Sequence, residues 1–361
     1  MEVQKTIKTK VHSLTNRKAE LLDREYKEFQ KAIDGEEADL YSATKQQVQR
    51  VIAQNNPRYE QPIRLRNDVI KVENKNTEIT EYWAKIPVYN PEKDRGDSIW
   101  CPVHIPRKDY NDVENADVGN SKLVKKEGCW YLHLTIKKNV SERDSYNDII
   151  AVDMGCRWIA TSVALSDRNT TFYGKKVRQT REHFKQLRKQ IGKKKVRKGR
   201  KLIKKIGRKE SRKVEDFLHK ISRQIVDEAE ERNAVIAIGD LQGIRNQDSK
   251  GRKFNDKLHK FPFSKLRKMI KYKANEKGIQ VLDVPEQNTS KTCNRCGSTK
   301  TTRKGQGLFK CRECGLEDNA DKNGALNIGK RAVGKDVQSP LSTAGAVLAQ
   351  PITPAVMPHA E

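Results

Sequence analysis

The sequence predicts an α/β protein with two additions: a four-cysteine knuckle module inserted near its C-terminal end, and a β-rich module before it that is interrupted by helices. Three observations carry this. Ile149-Ile150-Ala151-Val152 and Ala234-Val235-Ile236-Ala237-Ile238 are short and continuously apolar, as in strands of a sheet buried on both faces. Two Cys-x-x-Cys-Gly units stand with fourteen residues between Cys296 and Cys311. Residues 3–11 and Trp130–Ile136 alternate apolar and polar, as half-buried strands do, on either side of a helical stretch.

In chain order, residues 3–11 read as a strand. From Asn16 to about Ile52 the apolar positions Leu21, Leu22, Tyr26, Phe29 and Ile33 recur at helical spacing. Asn55-Asn56-Pro57 breaks that pattern, and a second, weaker helical stretch is expected before Tyr82. Trp83-Ala84-Lys85-Ile86-Pro87-Val88 opens the β-rich region, whose clearest strand is Trp130–Ile136. Strand 3–11 is expected to rejoin these later strands. At 148 the character changes. Residues 149–152, 158–165 and 169–173 read as three strands joined by tight turns at Gly155 and between 165 and 169. A very basic helical stretch follows from Lys175 to about Arg232, then strand 234–238. Phe261-Pro262-Phe263 is expected to dock a helix, which runs from Leu266 to Lys277 and is capped at Gly278. Strand 279–284, the knuckles and a helix from about Ala320 to Ala332 complete the pattern. That order, β-β-β-α-β-α-β-knuckle-α, is the order of an RNase H-like α/β domain. The segment after Val333 is rich in Pro, Ala, Ser and Gly without periodicity, and disorder is expected there.

Composition narrows the partners. The 361 residues allow two or three domains, and the formal net charge is +27 with 34% charged and 35% hydrophobic residues. Such an excess repels itself unless a polyanion neutralises it, which points to nucleic acid, with an anionic membrane surface as competitor. No stretch approaches the ~18 apolar residues of a membrane span. Met1-Glu2-Val3-Gln4-Lys5 lacks the apolar core of a signal peptide, so the protein is read as intracellular and cytoplasmic. The cysteine count is seven, which argues against a disulfide framework. Cys101, Cys129 and Cys156 are expected to be small buried apolar side chains. Trp83, Trp100, Trp130 and Tyr131 could stack on bases, but core packing is the expected role in β segments.

Two constellations carry chemistry. Cys293, Cys296, Cys311 and Cys314 present four thiolates in two tight turns, each with a Gly able to take positive φ. That suits tetrahedral Zn²⁺ in a closed structural site with no open position for water. Two redox dithiols are the competing reading. Asp153 ends a buried strand in Ala151-Val152-Asp153-Met154-Gly155, where sites form in open α/β sheets. Asp321 opens the last helix, where a carboxylate also suits the helix dipole. Either alone is an ordinary turn or cap residue, but together they suggest a hard-cation site for Mg²⁺, with two ions clamping a phosphodiester. Between Lys175 and Lys213 roughly half the residues are Lys or Arg. Lys193, Lys194, Lys195, Arg197, Lys198, Arg200 and Lys201 are expected to track phosphates rather than form an ordinary solvated face.

AVDMG at 151–155, GDLQGIR at 239–245, TSKTC with its three further cysteines, and DKNGALNI at 321–328 occur in an order and spacing that resemble the TnpB family. These are transposon-encoded, OrfB-type, RNA-guided endonucleases related to type V CRISPR nucleases. The resemblance is close over 148–331 and loose before it. It implies a RuvC-like nuclease domain (148–289 and 317–332, with the basic stretch 175–232) and a zinc ribbon (290–316). It also implies a β-barrel wedge that binds oligonucleotide (1–13 and 82–147), a helical recognition insert (14–81) and a tail (333–361). Guide RNA and target DNA are the implied partners; the oligomeric state is left open, a monomer being expected. The basic stretch resembles the family's insert along the heteroduplex.

Residue by residue, Asp153 corresponds to the first acid and Asp321 to the last. The family's middle Glu falls on Gly239, a departure. Either the site has lost an acid and the protein binds without cutting, or another acid serves. Asp240 is one residue along and points to the opposite face unless a bulge turns it. Glu286, in Val284-Pro285-Glu286-Gln287, ends the following strand and has the longer reach. Family members with Gly at this place often carry Glu at the later one, so Glu286 is the expected ligand and Asp240 the alternative. A guide-independent transposition or recombination nuclease is the remaining functional reading.

Overall fold

The computed structural model describes residues 1–54, 60–155, 157–193, 199–240, 262–304 and 307–333. The expected break at Asn55-Asn56-Pro57, the tail, Cys156 and Phe261 lie outside them. The chain divides into two compact units, Glu2–Asn139 and Val140 onward together with Met1.

The first unit is built on one antiparallel sheet. Its strands are β1 (Glu2–Val11), β2 (Ile63–Leu65), β3 (Lys71–Asn74), β4 (Tyr82–Asn90), β5 (Arg95–His104), β6 (Asp117–Val118), β7 (Ser121–Lys126) and β8 (Cys129–Asn139). They lie in the order β2-β7-β8-β1-β5-β4-β3, with β6 beside β8. Strand β1 rejoins the later strands as expected, pairing with β8 from Glu2↔Asn139 to Lys10↔Tyr131 and with β5. Its alternation turns Val3, Ile7 and Val11 inward. Helices α1 (Asn16–Ile33) and α2 (Ser42–Gln54) fill that side, with Leu22, Tyr26, Phe29 and Ile33 in one core with Ala84, Ile86, Leu132 and Leu134. A short helix, α3 (Tyr110–Glu114), precedes β6. The Thr15 hydroxyl caps α1 by accepting from Lys18 N–H. Past its end Gly35 takes φ +90, so the expected single helical stretch is two helices. Trp130 is core, edge-on to Tyr26. Trp100 is half-buried, with Lys75 Nζ 3.3 Å from its ring centre.

Two expectations need correcting here. The weak helical stretch before Tyr82 is instead β2 and β3, so 14–81 is not wholly helical. Ile63 and Leu65 alternate around Arg64 and are 1% exposed, both turned into the core by the strand's pairing with β7. The boundary also falls at 139/140 rather than 147/148. Residues after Asn139 belong to the second unit: Tyr146 is buried in its core, and Asn147 N–H donates to Asn233 C=O at 2.8 Å.

The second unit has a five-stranded sheet of β9 (Asp148–Asp153), β10 (Ala160–Ala164), β11 (Thr170–Tyr173), β12 (Ala234–Asp240) and β13 (Val281–Pro285), in the order β11-β10-β9-β12-β13. Strands β9, β12 and β13 run parallel; β10 and β11 are antiparallel additions. Between β11 and β12 come α4 (Lys175–Lys193) and α5 (Gly199–Glu231), and between β12 and β13 comes α6 (Phe263–Glu276). Helices α5 and α6 cover one face, placing Leu218, Ile225, Leu266 and Ile270 against Ile150, Val152, Ile236 and Ile238. The last helix, α7 (Ala320–Val333), covers the other, with Ile328 and Ala332 against Ile149, Ala151, Val235 and Val284. Gly329 allows this close approach, since a Cβ there would stand 2.1 Å from Leu165 Cδ1. Gly278 takes φ +68 at the turn out of α6. Strands β14 (Thr301–Lys304), β15 (Leu308–Cys311) and β16 (Glu317–Asn319) form a small antiparallel sheet between β13 and α7, with Phe309 buried beside Cys293 and Cys311. No described helix is long and apolar enough to cross a membrane.

Candidate active site and cysteine centre

Parallel strands bring their carboxyl ends to one edge, and both faces there are used. Along β12 the residues alternate: Val235 and Ala237 face α7, and Ile236 and Ile238 face α5 and α6. Gly239 therefore falls on the α7 face and Asp240 on the other. Asp240 continues in register opposite Pro285, without a bulge. Its Oδ1 accepts from Arg267 Nη1 of α6 at 2.8 Å, and Arg267 Nη2 reaches Asp283 Oδ1 at 2.7 Å. Asp240 is thus engaged behind the sheet.

Three acids gather on the α7 face. Asp153, at the end of β9, shares the facing of Ile149 and Ala151. Glu286, one residue past β13, shares that of Val284. Its side chain lies over Gly239: a Cβ there would stand 1.9 Å from Glu286 Oε1. Asp321 comes down in the first turn of α7, whose N-terminus is capped by Asn319 Oδ1 accepting from Asp321 N–H at 2.9 Å. Gly324, one turn along α7, leaves room for Asp153; a Cβ there would be 2.7 Å from Asp153 Oδ2.

The electrostatics are those of carboxyl groups held close to one another under burial. Burial, then the Asp321 charge, pushes Asp153 up to about 7. Burial, then Asp153 and Asp240, pushes Glu286 up to about 8, with Arg267 opposing. Asp321 is also raised by burial, against the pull of Arg303 and Arg157. Arg303, on β14, stands 3.7 Å from Asp321 Oδ1. Glu286 Oε1 and Asp321 Oδ2 are buried without a hydrogen-bond partner. Buried carboxylate oxygens are rarely left so without a reason, a bound ion or a catalytic role among them. The donor set, all hard oxygen, is the chemistry Mg²⁺ or Mn²⁺ takes, although among the described residues only the four cysteines bring their ligand atoms within 4.8 Å of one another.

The four knuckle cysteines also come together. Their Sγ atoms all lie within 4.8 Å of one another, with Cys293–Cys314 at 3.7 Å and Cys296–Cys311 at 3.5 Å. A tetrahedron with metal–sulfur bonds of about 2.3 Å has edges of about 3.8 Å, so the set fits zinc. Gly297 and Gly315 take φ +75 and +71, the turn each knuckle needs. Of the scattered cysteines, Cys101 is buried and Cys129 half-buried.

Of the basic residues singled out, Lys193 ends α4, and Arg200 and Lys201 open α5; all three are exposed. Lys194, Lys195, Arg197 and Lys198 lie outside the described residues. The buried positions of α5 begin at Val214; its first four turns carry mostly basic side chains, with Leu202 and Ile203 exposed among them and Glu210 paired to Arg188 of α4.

Arg303, Arg157, Arg267, Asn323 and Asn327 escape a reading of the sequence. The arginines act across long sequence separations and leave no local signal. The two asparagines do leave one: they stand four apart in DKNGALNI, on one helix face.

Family models match two segments: a probable transposase over residues 133–244 and the Cas12f1-like TNB domain over 263–328. A TnpB-like protein of Methanocaldococcus jannaschii is 33% identical over 244 residues, 64% of this chain and 86% of the relative. The CRISPR-associated endodeoxyribonuclease Cas12f2 of a Micrarchaeota archaeon is 32% identical over 225 residues, 56% of this chain and 40% of that protein. The chain thus matches less than half the length of that relative. Among solved structures, a Cas12f1–single-guide RNA–target DNA complex superposes with a TM-score of 0.56 at 17% identity, covering 79% of this chain and 67% of that one. At that identity the likeness speaks to the fold.

Proposed function

Because the chain belongs to the TnpB-like family, we propose that it is an RNA-guided DNA endonuclease of a mobile element, hydrolysing phosphodiesters at an RNase H-like, RuvC-type site with divalent metal. The observation that supports this most is the meeting of Asp153, Glu286 and Asp321 at one sheet edge, with two buried carboxylate oxygens lacking protein partners. Glu286, whose side chain lies over Gly239, would stand in for the family's middle acid, which favours a cutting enzyme over a binding-only one.

When bound, Mg²⁺ would neutralise the acids and stabilise charge on the attacking and leaving oxygens of the phosphodiester. The chain's own residues supply the rest. Asp153, Glu286 and Asp321 would hold the metal. Arg303 and Arg157 offset charge at Asp321. Arg267 keeps Asp240 and Asp283 behind the sheet. Cys293, Cys296, Cys311 and Cys314 would hold a structural zinc. The exposed basic residues of α4 and α5, with Lys193, Lys194, Lys195, Arg197, Lys198, Arg200 and Lys201 at their junction, would follow the phosphates of the guide–target duplex. Such contacts carry no sequence information, which base pairing supplies. The N-terminal unit would serve as the wedge and recognition module.

The test is cleavage and binding measured side by side with copurified RNA, matched target and Mg²⁺. Asp153→Ala, Glu286→Ala and Asp321→Ala are each expected to abolish cutting while target binding persists, and Asp240→Ala to do less. A wild type that binds its matched target and never cuts it makes this a binding protein. Absence of copurifying RNA points to a guide-independent nuclease.

A further inference from the structure

Helix α7 is shared by two sites. Its first turn carries Asp321, and the face beside it holds the first cysteine knuckle. Asn323 is fully buried. Its Oδ1 accepts from the backbone N–H of Asn294 at 2.9 Å and from Asn294 Nδ2 at 2.8 Å, and its Nδ2 donates to Thr292 C=O at 2.9 Å. Asn327 Nδ2 donates to the carbonyls of Thr289 and Thr292, each at 2.7 Å. Lys330 Nζ donates to Asn294 C=O at 2.5 Å. Thr292 and Asn294 flank Cys293, so the knuckle is fastened at 323, 327 and 330, the spacing of a single helix face.

The fastening sits where small movements matter. Asn323 is two residues from Asp321 and adjacent to Gly324, whose missing Cβ gives Asp153 Oδ2 its room. The hairpin that leaves the knuckle returns Arg303 to Asp321 at 3.7 Å. A displaced knuckle would therefore shift both a carboxylate and its counter-charge.

We propose that Asn323 is a positioning residue for the divalent-cation site: by fastening the first cysteine knuckle to α7 it sets where Asp321 stands, and so links metal binding at the cysteines to metal affinity at the acids. This rests on Asp153, Glu286 and Asp321 forming a cation site. Removing the amide leaves the buried Asn294 N–H unpaired and frees the knuckle from the helix.

The experiment is Mn²⁺ titration of the full chain followed by electron paramagnetic resonance, with zinc content and guided-cleavage kinetics on the same samples. Asn323→Ala is expected to keep one equivalent of zinc, to raise the Mn²⁺ Kd about tenfold, as loss of groups that orient metal ligands does, and to lower kcat without changing affinity for target DNA. Raising Mn²⁺ should restore part of its rate. Cys293→Ser, which loses the zinc, should weaken Mn²⁺ at least as much. Wild-type Mn²⁺ affinity in zinc-loaded Asn323→Ala overturns the proposal. Should that variant fail to fold, Asn294→Ala decides: it keeps the backbone bond and should raise the Kd about threefold, and no change overturns the proposal. Asp321→Ala separates the two ideas, because wild-type Mn²⁺ affinity there would refute the cation site itself.

Discussion

Gly239→Ala adds one methyl group at the centre of the acid cluster. The new carbon would stand 1.9 Å from Glu286 Oε1 and 2.5 Å from both Cδ and Cγ, against an ordinary contact near 3.4 Å. Oε1 must then retreat by about 1.5 Å (3.4 − 1.9) and the carbons by about 0.9 Å (3.4 − 2.5). The backbone of β12 resists this, since Gly239 pairs with Val284 of β13 and Ile238, just before it, pairs with Val152 of β9. The Glu286 side chain moves instead. Misplacing a catalytic group by about 1 Å can cost roughly 100-fold in rate, so single-turnover cleavage should fall by about that factor. Stability should change little, because the displaced carboxyl can turn toward water. The assay is cleavage of a matched target by the guided complex in Mg²⁺, with thermal melting and target binding as controls. Gly239→Glu combined with Glu286→Ala, which moves the carboxylate from β13 to β12, should recover part of the rate lost in Glu286→Ala. A folded Gly239→Ala protein that cuts at the wild-type rate would refute the placement of Glu286 as a working acid.

Two further outcomes are expected. Asp153 and Glu286, raised to about 7 and about 8, keep protons that the unfolded chain has released above pH ~4. The folded state then binds more protons than the unfolded one, so stability of Mg²⁺-free protein should fall as pH rises from about 4 to about 8. Melting temperatures measured across that range should drop more steeply in the wild type than in an Asp153→Asn/Glu286→Gln double variant; equal slopes would show that these acids do not share a buried site. Replacing Lys193, Lys194, Lys195, Arg197 and Lys198 with Ala should weaken matched and unmatched nucleic acid alike. The salt dependence should become shallower by about one unit of slope for each phosphate no longer neutralised, and an unchanged slope would mean that this run does not touch the phosphates.

Strong periodicity was the most legible part of the fold. Strands β1, β8, β9 and β12 and helices α1, α6 and α7 each carry enough regular residues to be read within a few positions. The three-residue β2 did not. Ile63-Arg64-Leu65 is too short to show a period, and its partner β7 lies about sixty residues on. At the candidate site, the placement of the proposed acids was legible because each ends a strand or opens a helix. The reason Glu286 rather than Asp240 faces α7 is the two-residue repeat of a strand, which sequence alone can count. That Arg267 occupies Asp240 could not be counted, because an ion pair across a helix–sheet interface depends on packing rather than on spacing. Asn323 and Asn327 were visible as a pattern and silent as to purpose, since their partners are backbone groups of the knuckle.

The seating of β1 has a consequence for how the N-terminal unit is made. Of the strands of this unit, the one made first lies between two later ones in the sheet order, and Glu2 pairs with Asn139. Neither of its neighbours, β5 and β8, is complete until roughly 90 to 130 residues beyond β1 have been synthesised. The helices that follow it can form early from local contacts, but they must wait for the surface they cover. Assembly of this unit is therefore governed by long-range closure and should be slow for its size, with β1 an open-edged strand in the nascent chain until β8 closes over it.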